Sequence, residues 1–271
     1  MTAARSPYLR AAGARPFVVG HRGALALAPE NTFAAFRRAV ETGVDAIEFD
    51  VQRTADGVPV VLHDETLDRT TNGHGPIREA RWPEVRTLDA GSWRSREHAG
   101  ERVPSLEELL AWARGQRVDL VLELKQPAPE GWRQRDDALV PAVLDALRAS
   151  SMLDRTLMIS FDHPSIAEAL RREPRARTAL LSEGPTLVDP LALTRSVPGV
   201  MGLHVRWRWI SRELCDAAHA AGLHVHAWGL GHPLDRVTVG RMVDAGVDSL
   251  SADAPDELLA LLGGPTERSE A

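Results

Sequence analysis

Residues 47–64 read Ile47-Glu48-Phe49-Asp50-Val51-Gln52-Arg53-Thr54-Ala55-Asp56-Gly57-Val58-Pro59-Val60-Val61-Leu62-His63-Asp64. Ile47, Phe49 and Val51 alternate with Glu48 and Asp50, the period-two pattern of a strand with an apolar face and an acidic one. An acidic face is ordinarily a solvated face. Here Ala55-Asp56-Gly57 turns the chain straight back, because Asp-Gly between apolar runs is a hairpin signal. The loop is too short for a parallel crossover, so residues 58–62 are expected to run antiparallel to the first strand. Folding the ribbon at Asp56 returns His63 to the level of Glu48 and Phe49. Two carboxylates and an imidazole then meet at one strand end, where the active site is expected.

Outward from this ribbon the chain alternates. Phe17-Val18-Val19-Gly20 is a short buried-type strand ending in His21-Arg22-Gly23. Asn31 is expected to cap a helix carrying Phe33, Phe36 and Val40, closed by Gly43 at its C′ position. Residues 64–103 are the least periodic, and Thr70-Thr71-Asn72-Gly73-His74-Gly75-Pro76 has loop composition. That segment reads as an excursion over one end of the domain, with some local helix. Ser105 and Glu108 form a capping box for the next helix. Leu120, Leu122 and Leu124 alternate with Val121, Glu123 and Lys125 in a strand at 119–125, and helix-like sequence fills 133–149. Strands at 157–160, 178–181, 202–205, 223–228 and 248–251 then alternate with helices at 164–172, 190–196, 211–221, 234–245 and 255–262. Pro164, Pro233 and Pro255 stand where helix starts tolerate proline.

With the hairpin return counted as decoration, eight strands are each followed by a helix. Such alternation implies a parallel sheet, and about 250 residues is the size of a TIM (β/α)8 barrel with a β-hairpin extension after strand 2. The alternative is an open doubly wound sheet. It ordinarily carries a glycine-rich first turn, and no G-x-G-x-x-G or P-loop pattern occurs in this α/β chain.

The chain has 271 residues, 44% hydrophobic and 26% charged, the balance of a soluble globular protein. Residues 1–15 read as an N-terminal arm, 16–262 as a single barrel domain and 263–271 as a flexible tail. The net charge of −6 argues against nucleic acid as a partner. Arg5, Arg10 and Arg15 without an apolar core do not form a secretory signal. No apolar run approaches a membrane span, so no stable membrane insertion is expected. The single cysteine, Cys215, excludes an internal disulfide and suits a reducing, cytoplasmic compartment.

In a barrel, polar residues at C-terminal strand ends face the site. His21 with Arg22, Glu48 with Asp50, Glu123 with Lys125, Ser160 and Trp228 hold such positions. Glu48, Asp50 and Glu123 offer only oxygen, which suits one hard divalent cation, Mg²⁺ or Ca²⁺. Without a metal, Arg22 and Lys125 would have to neutralise them; an acid pair for glycoside hydrolysis is a further alternative. His21 and His63 are candidates for general acid and base, and Arg22 and Lys125 for holding phosphate oxygens. Lys125 is the only lysine in a chain that otherwise uses arginine, which suggests a chemical reason for it. His224-Val225-His226 is a possible zinc pair, with only His21 and His204 to complete it. Trp228 shares their face, which places these histidines deeper in the barrel beneath it.

At these residues the chain resembles the glycerophosphodiester phosphodiesterase family. The matching stretches are Gly20-His21-Arg22-Gly23, Pro29-Glu30-Asn31-Thr32, Glu48-Phe49-Asp50-Val51, Thr54-Ala55-Asp56-Gly57, His63-Asp64, Asp68-Arg69-Thr70-Thr71, Glu123-Leu124-Lys125, Ser160-Phe161 and Gly246-Val247-Asp248. The resemblance implies a barrel of the PLC-like phosphodiesterase type that releases glycerol 3-phosphate and an alcohol from a small-molecule glycerophosphodiester. It implies a divalent cation on Glu48, Asp50 and Glu123, acid/base roles for His21 and His63, and phosphate contacts from Arg22 and Lys125. The chain departs from the family at Trp228-Gly229-Leu230-Gly231, where Trp-Thr-Val-Asn is usual, and at Ala252-Asp253, where Thr-Asp is usual. Both departures bear on the alcohol. A phospholipase D-type activity on lyso-lipids is the second enzymatic reading, with Trp82, Trp93, Trp207 and Trp209 as candidates for an acyl-binding rim. A third reading is a barrel that binds phosphodiesters without catalysis, which the full set of acid, base and metal residues disfavours.

Overall fold

The computed structural model describes residues 6–127, 135–183 and 189–264. Strands β1 (Phe17–Gly20), β2 (Ala46–Arg53), β3 (Pro59–Val61), β4 (Asp119–Leu124), β5 (Thr156–Ser160), β6 (Arg177–Ser182), β7 (Gly202–Arg206), β8 (His224–Trp228) and β9 (Ser249–Ala252) form one sheet. β1 pairs in parallel with both β2 and β9, which closes eight strands into a ring. β3 lies outside the ring, antiparallel to β2, with Val61 opposite Val51 and Pro59 opposite Arg53. Continuing that register puts His63 opposite Phe49, the level the hairpin turn predicts.

Helices α1 (Phe33–Thr42), α3 (Leu106–Ala113), α4 (Leu139–Ala149), α5 (His163–Arg172), α6 (Pro190–Ser196), α7 (Arg212–Ala220), α8 (Arg236–Ala245) and α9 (Pro255–Leu261) follow the ring strands; the one-turn helix α2 (Trp82–Val85) belongs to the excursion. Strand alternation divides the apolar residues into two layers. Ile47, Phe49, Val51, Leu120, Leu122 and Leu124 pack outward with Phe36, Leu109 and Leu144 of the helices. Val19, Val121, Leu157, Ile159, Ala179 and Leu181 fill the lumen. Each fully buried Leu or Ile contributes about 1.5–3 kcal/mol relative to an exposed one, so this packing fixes the strand ends that carry the polar groups.

Several boundaries differ from the sequence expectation. Thr32, not Asn31, caps α1, its side chain accepting from Ala35 N; Asn31 itself has φ 57° and its side chain is engaged elsewhere. The C-terminal glycine of α1 is Gly43 and the Ser105–Glu108 capping box is present. Of the helix expected at 133–149, residues 133–134 lie outside the described residues, and α4 begins only at Leu139. Pro141 then falls in the first turn, where its missing N–H has no helical partner to lose. α8 begins at Arg236 rather than at 234, because Asp235 accepts from Val237 N and Thr238 N and sets the start.

The excursion has its own small core, Val60, Leu62, Leu67, Ile77, Val85, Ala90 and Val103, which anchors it beside β3. At the opposite end, residues 6–15 run beneath the barrel. Ser6 N donates to Gly222 O at 3.1 Å, Arg10 N donates to Asp248 Oδ1 at 2.7 Å and Arg15 pairs with Asp45 at 2.7 Å.

Candidate active site

Glu48 and Asp50 point into the lumen from β2, and the parallel register sets Glu123 of β4 beside Asp50. Oxygens of the three carboxylates lie within 4.8 Å of one another, and all three residues sit in closed surroundings. Burial, then the Asp50 charge, raises the Glu48 and Glu123 carboxyls. Burial also works against Asp50, but Arg22 and then Lys125 outweigh it and hold that carboxyl low. An oxygen-only set of buried, mutually repelling acids fits a hard divalent cation.

The turn after β1 builds the cationic side of this cluster. Arg22 has φ 50° and Gly23 φ 88°. A Cβ on Gly23 would stand 2.7 Å from the Ala35 backbone, so only glycine fits there. The bend lets Arg22 N donate to Glu48 Oε2 at 2.9 Å. Arg22 Nη1 meets Glu30 Oε1 at 2.7 Å, while its buried Nε, with no hydrogen-bond partner, lies 3.5 Å from Asp50 Oδ2. Asn31 Nδ2 donates to the same Asp50 oxygen at 2.8 Å. Lys125 Nζ is 3.0 Å from Glu123 Oε1 and 3.7 Å from Asp50 Oδ1.

Two imidazoles flank the cluster, each held by a carboxylate. His21 Nδ1 is 2.7 Å from Asp253 Oδ1, and His63 Nδ1 is 2.7 Å from Asp64 Oδ1. A carboxylate accepts, so each Nδ1 carries a proton and each Nε2 is left for chemistry. Desolvation pulls His21 down, but the Asp253 hydrogen bond and the Glu48 charge more than offset it, and the group is raised. Desolvation, aided by Arg22 and Lys125, leaves His63 lowered despite Asp50 and Asp64.

His21, Arg22, Glu48, His63, Glu123, Lys125 and Trp228 line one cavity of about 350 Å³, with Asp50 just behind its wall. Trp228 meets Phe161 edge-on with centroids 5.6 Å apart, and Ile159, Leu181 and Leu230 extend this apolar side. Trp82, Trp93, Trp207 and Trp209 do not line the cavity. His204 and His226 form part of its floor, stacked at 4.3 Å, and His204 Nε2 is 3.2 Å from His224 Nε2. His226 Nδ1 contacts Ser249 Oγ at 2.7 Å. These imidazoles are spent on one another and on neutral oxygens; among the described residues the group suited to a cation is the carboxylate triad.

The sequence brought out the seven cavity residues and Asp50 but not the groups that hold them. Glu30 and Asp253 stood in the quoted stretches Pro29-Glu30-Asn31-Thr32 and Ala252-Asp253, but nothing local assigned either its partner. Asp64 and Arg69 stood beside His63 in recognisable motifs, and Asn31 was read as a helix cap.

Mutually repelling acids that call for a cation, set beside cations that attract an anion at the mouth of a (β/α)8 ring, define an enzyme of the phosphoric ester hydrolase class. Comparison narrows this further. The model of the glycerophosphoryl diester phosphodiesterase family matches residues 21–257, and the chain belongs to that family. It is 33% identical over 252 residues to a glycerophosphodiester phosphodiesterase of Caldanaerobacter subterraneus subsp. tengcongensis, covering 92% of this chain and 98% of that protein. The crystal structure of a glycerophosphodiester phosphodiesterase from Agrobacterium tumefaciens is 32% identical with a TM-score of 0.76, covering 90% of this chain and 99% of that one. An Oleispira antarctica phosphodiesterase in complex with the product sn-glycerol-3-phosphate is 28% identical with a TM-score of 0.82, covering 92% and 98%.

Proposed function

We propose that residues 16–262 form a catalytic domain that hydrolyses glycerophosphodiesters to glycerol 3-phosphate and an alcohol, with His63 as general base and His21 as general acid. The observation that carries this reading is the pair of carboxylate-held imidazoles on one cavity, shifted in opposite directions. Groups whose surroundings push them apart divide naturally into an acid and a base. The product found in the Oleispira antarctica relative supports the glycerol side of the substrate.

His63 Nε2 takes a proton from the attacking water as the water oxygen bonds to phosphorus. The bond from phosphorus to the alcohol oxygen breaks, and His21 Nε2 gives its proton to that leaving oxygen. One proton is taken and one is given, so solvent exchange restores both histidines. Arg22 and Lys125 offset the phosphate charge. Glu48, Asp50 and Glu123 would hold one divalent cation, Mg²⁺ or Ca²⁺, which supplies further charge neutralisation. No helix among the described residues is long and apolar enough to cross a membrane. The single cysteine, buried and unpaired, supports a cytoplasmic setting.

The test is glycerol 3-phosphate release from a panel of glycerophosphodiesters and one lyso-lipid, with and without chelator. Chelation is expected to abolish release and Mg²⁺ or Ca²⁺ to restore it. Full activity in excess EDTA rules out the metal role. A preference for the lyso-lipid moves the substrate to the phospholipase D-type reading, and turnover of nothing in the panel leaves a binding barrel.

A further inference from the structure

Arg69 lies in the excursion, outside the cavity, in a turn whose frame is rigid. Leu67 is buried in the excursion's small core, and Thr71 Oγ1 donates back to Leu67 O at 2.6 Å. From this turn the guanidinium reaches two carboxylates with two adjacent edges of its plane, which share Nη2. Its Nε and Nη2 donate to Asp64 Oδ2 and Oδ1 at 2.5 and 2.9 Å. Its Nη1 and Nη2 donate to Glu30 Oε2 and Oε1 at 2.8 Å each. Both carboxylates have a second client. Asp64 holds His63 Nδ1, and Glu30 Oε1 also accepts from Arg22 Nη1.

We propose that Arg69 is a positioning residue that sets His63 through Asp64 and Arg22 through Glu30, so that one guanidinium aligns the base and a phosphate-binding cation together. The proposal rests on the two-histidine reading. Two bidentate pairs use a planar fork that an ammonium lacks, since lysine offers one charge point on a flexible stem. A generic surface ion pair would tolerate lysine; this bridge does not. Arg69 is also 45% exposed, so lysine there leaves the core untouched.

The experiment measures kcat, KM and thermal midpoint for wild type, Arg69→Lys, His63→Ala and the double variant, with the best substrate of the panel and saturating Mg²⁺. Arg69→Lys is expected to lower kcat at least tenfold and to raise KM several-fold, with the thermal midpoint nearly unchanged. In the His63→Ala background the same change should alter kcat less than twofold, because the base it aligned is gone, while the KM effect through Arg22 stays. Wild-type kcat and KM in Arg69→Lys overturn the proposal. So does a kcat loss of equal size in both backgrounds, which marks a merely structural effect. If His63→Ala alone turns over normally, the two-histidine reading fails instead, so the two failures are told apart.

Discussion

The imidazoles at the mouth of the barrel and those beneath them occupy one lumen but touch different chemistry. His21 and His63 each place Nδ1 on a carboxylate, which favours a proton on that nitrogen and steadies the ring when Nε2 gains one. His204, His224 and His226 meet one another, a backbone carbonyl and hydroxyls: His224 Nδ1 is 2.9 Å from Met201 O and 3.0 Å from Ser6 Oγ. None of these neutral partners offsets an imidazolium charge. Desolvation therefore dominates, pushing His224 down to about 4 and His226 to about 3, with His204 also held well below its ordinary value. Residue type is shared, but burial is not: the His21 and His63 side chains are 34% and 31% exposed, the lower three almost fully buried. A carboxylate on Nδ1 together with access to the cavity equips the upper pair for proton transfer, while the lower set serves as packing.

The largest effects should come from the upper set. His21→Ala and His63→Ala are each expected to lower kcat by about 10²–10⁴-fold, the usual scale for a general acid or base. His224→Gln, below the cavity, should stay within a few-fold of wild type in the same assay. Comparable losses at all three positions would erase the distinction.

Acid stability probes the lower set. His224 titrates near 6.5 in the unfolded chain and at about 4 when folded. As pH falls below 6.5 the unfolded state binds the proton first, so stability is lost between pH 6.5 and about 4. At pH 5 the cost is about 2 kcal/mol for this residue. Denaturant midpoints at pH 7 and pH 5 should therefore differ less in His224→Gln than in wild type. An unchanged difference would mean that His224 does not carry the acid sensitivity.

Lys125 separates charge from shape at the mouth. Its compact ammonium reaches Glu123 and lies near Asp50. A guanidinium there would compete for the Glu123 carboxylate with its wider fork. Lys125→Arg is expected to cost at least about tenfold in kcat/KM, about 1.4 kcal/mol, with little change in thermal midpoint. Wild-type kinetics would reduce Lys125 to a generic charge. The smallest effect is expected at Ser6→Ala, which removes one hydrogen bond to His224 and should cost about 1 kcal/mol of stability without altering kcat.

What the sequence revealed follows the range of each interaction. The hairpin at Asp56-Gly57 is a local rule, and the antiparallel return it predicts is present, with Val61 opposite Val51 and Leu62 N donating to Asp50 O. The strand-end acids were legible because the alternation of β2 and β4 is local and the barrel rule supplies their convergence. Asn31 misled because capping preference concerns neighbouring residues only. Its backbone donates to Arg22 O, and its side chain reaches Asp50, nineteen positions away. Asp253 stands 232 positions from His21, and Arg69 needs the excursion's own core to be aimed at Glu30. These partners depend on closure of the ring and packing of a loop, which no periodicity encodes.

The pairing of β1 with β9 also gives the molecule an order in time. Of the ring strands β1 is made before β2, its partner on one edge, while the partner of its other edge is β9, the last strand of the sheet. Contacts of such long sequence separation are costly to close and form slowly. His21 and Asp253 hang on either side of this seam. A chain still short of residue 253 already contains the acids of β2 and β4 but lacks the partner that holds His21. The His21–Asp253 pair is thus the part of the site that only closure of the ring completes.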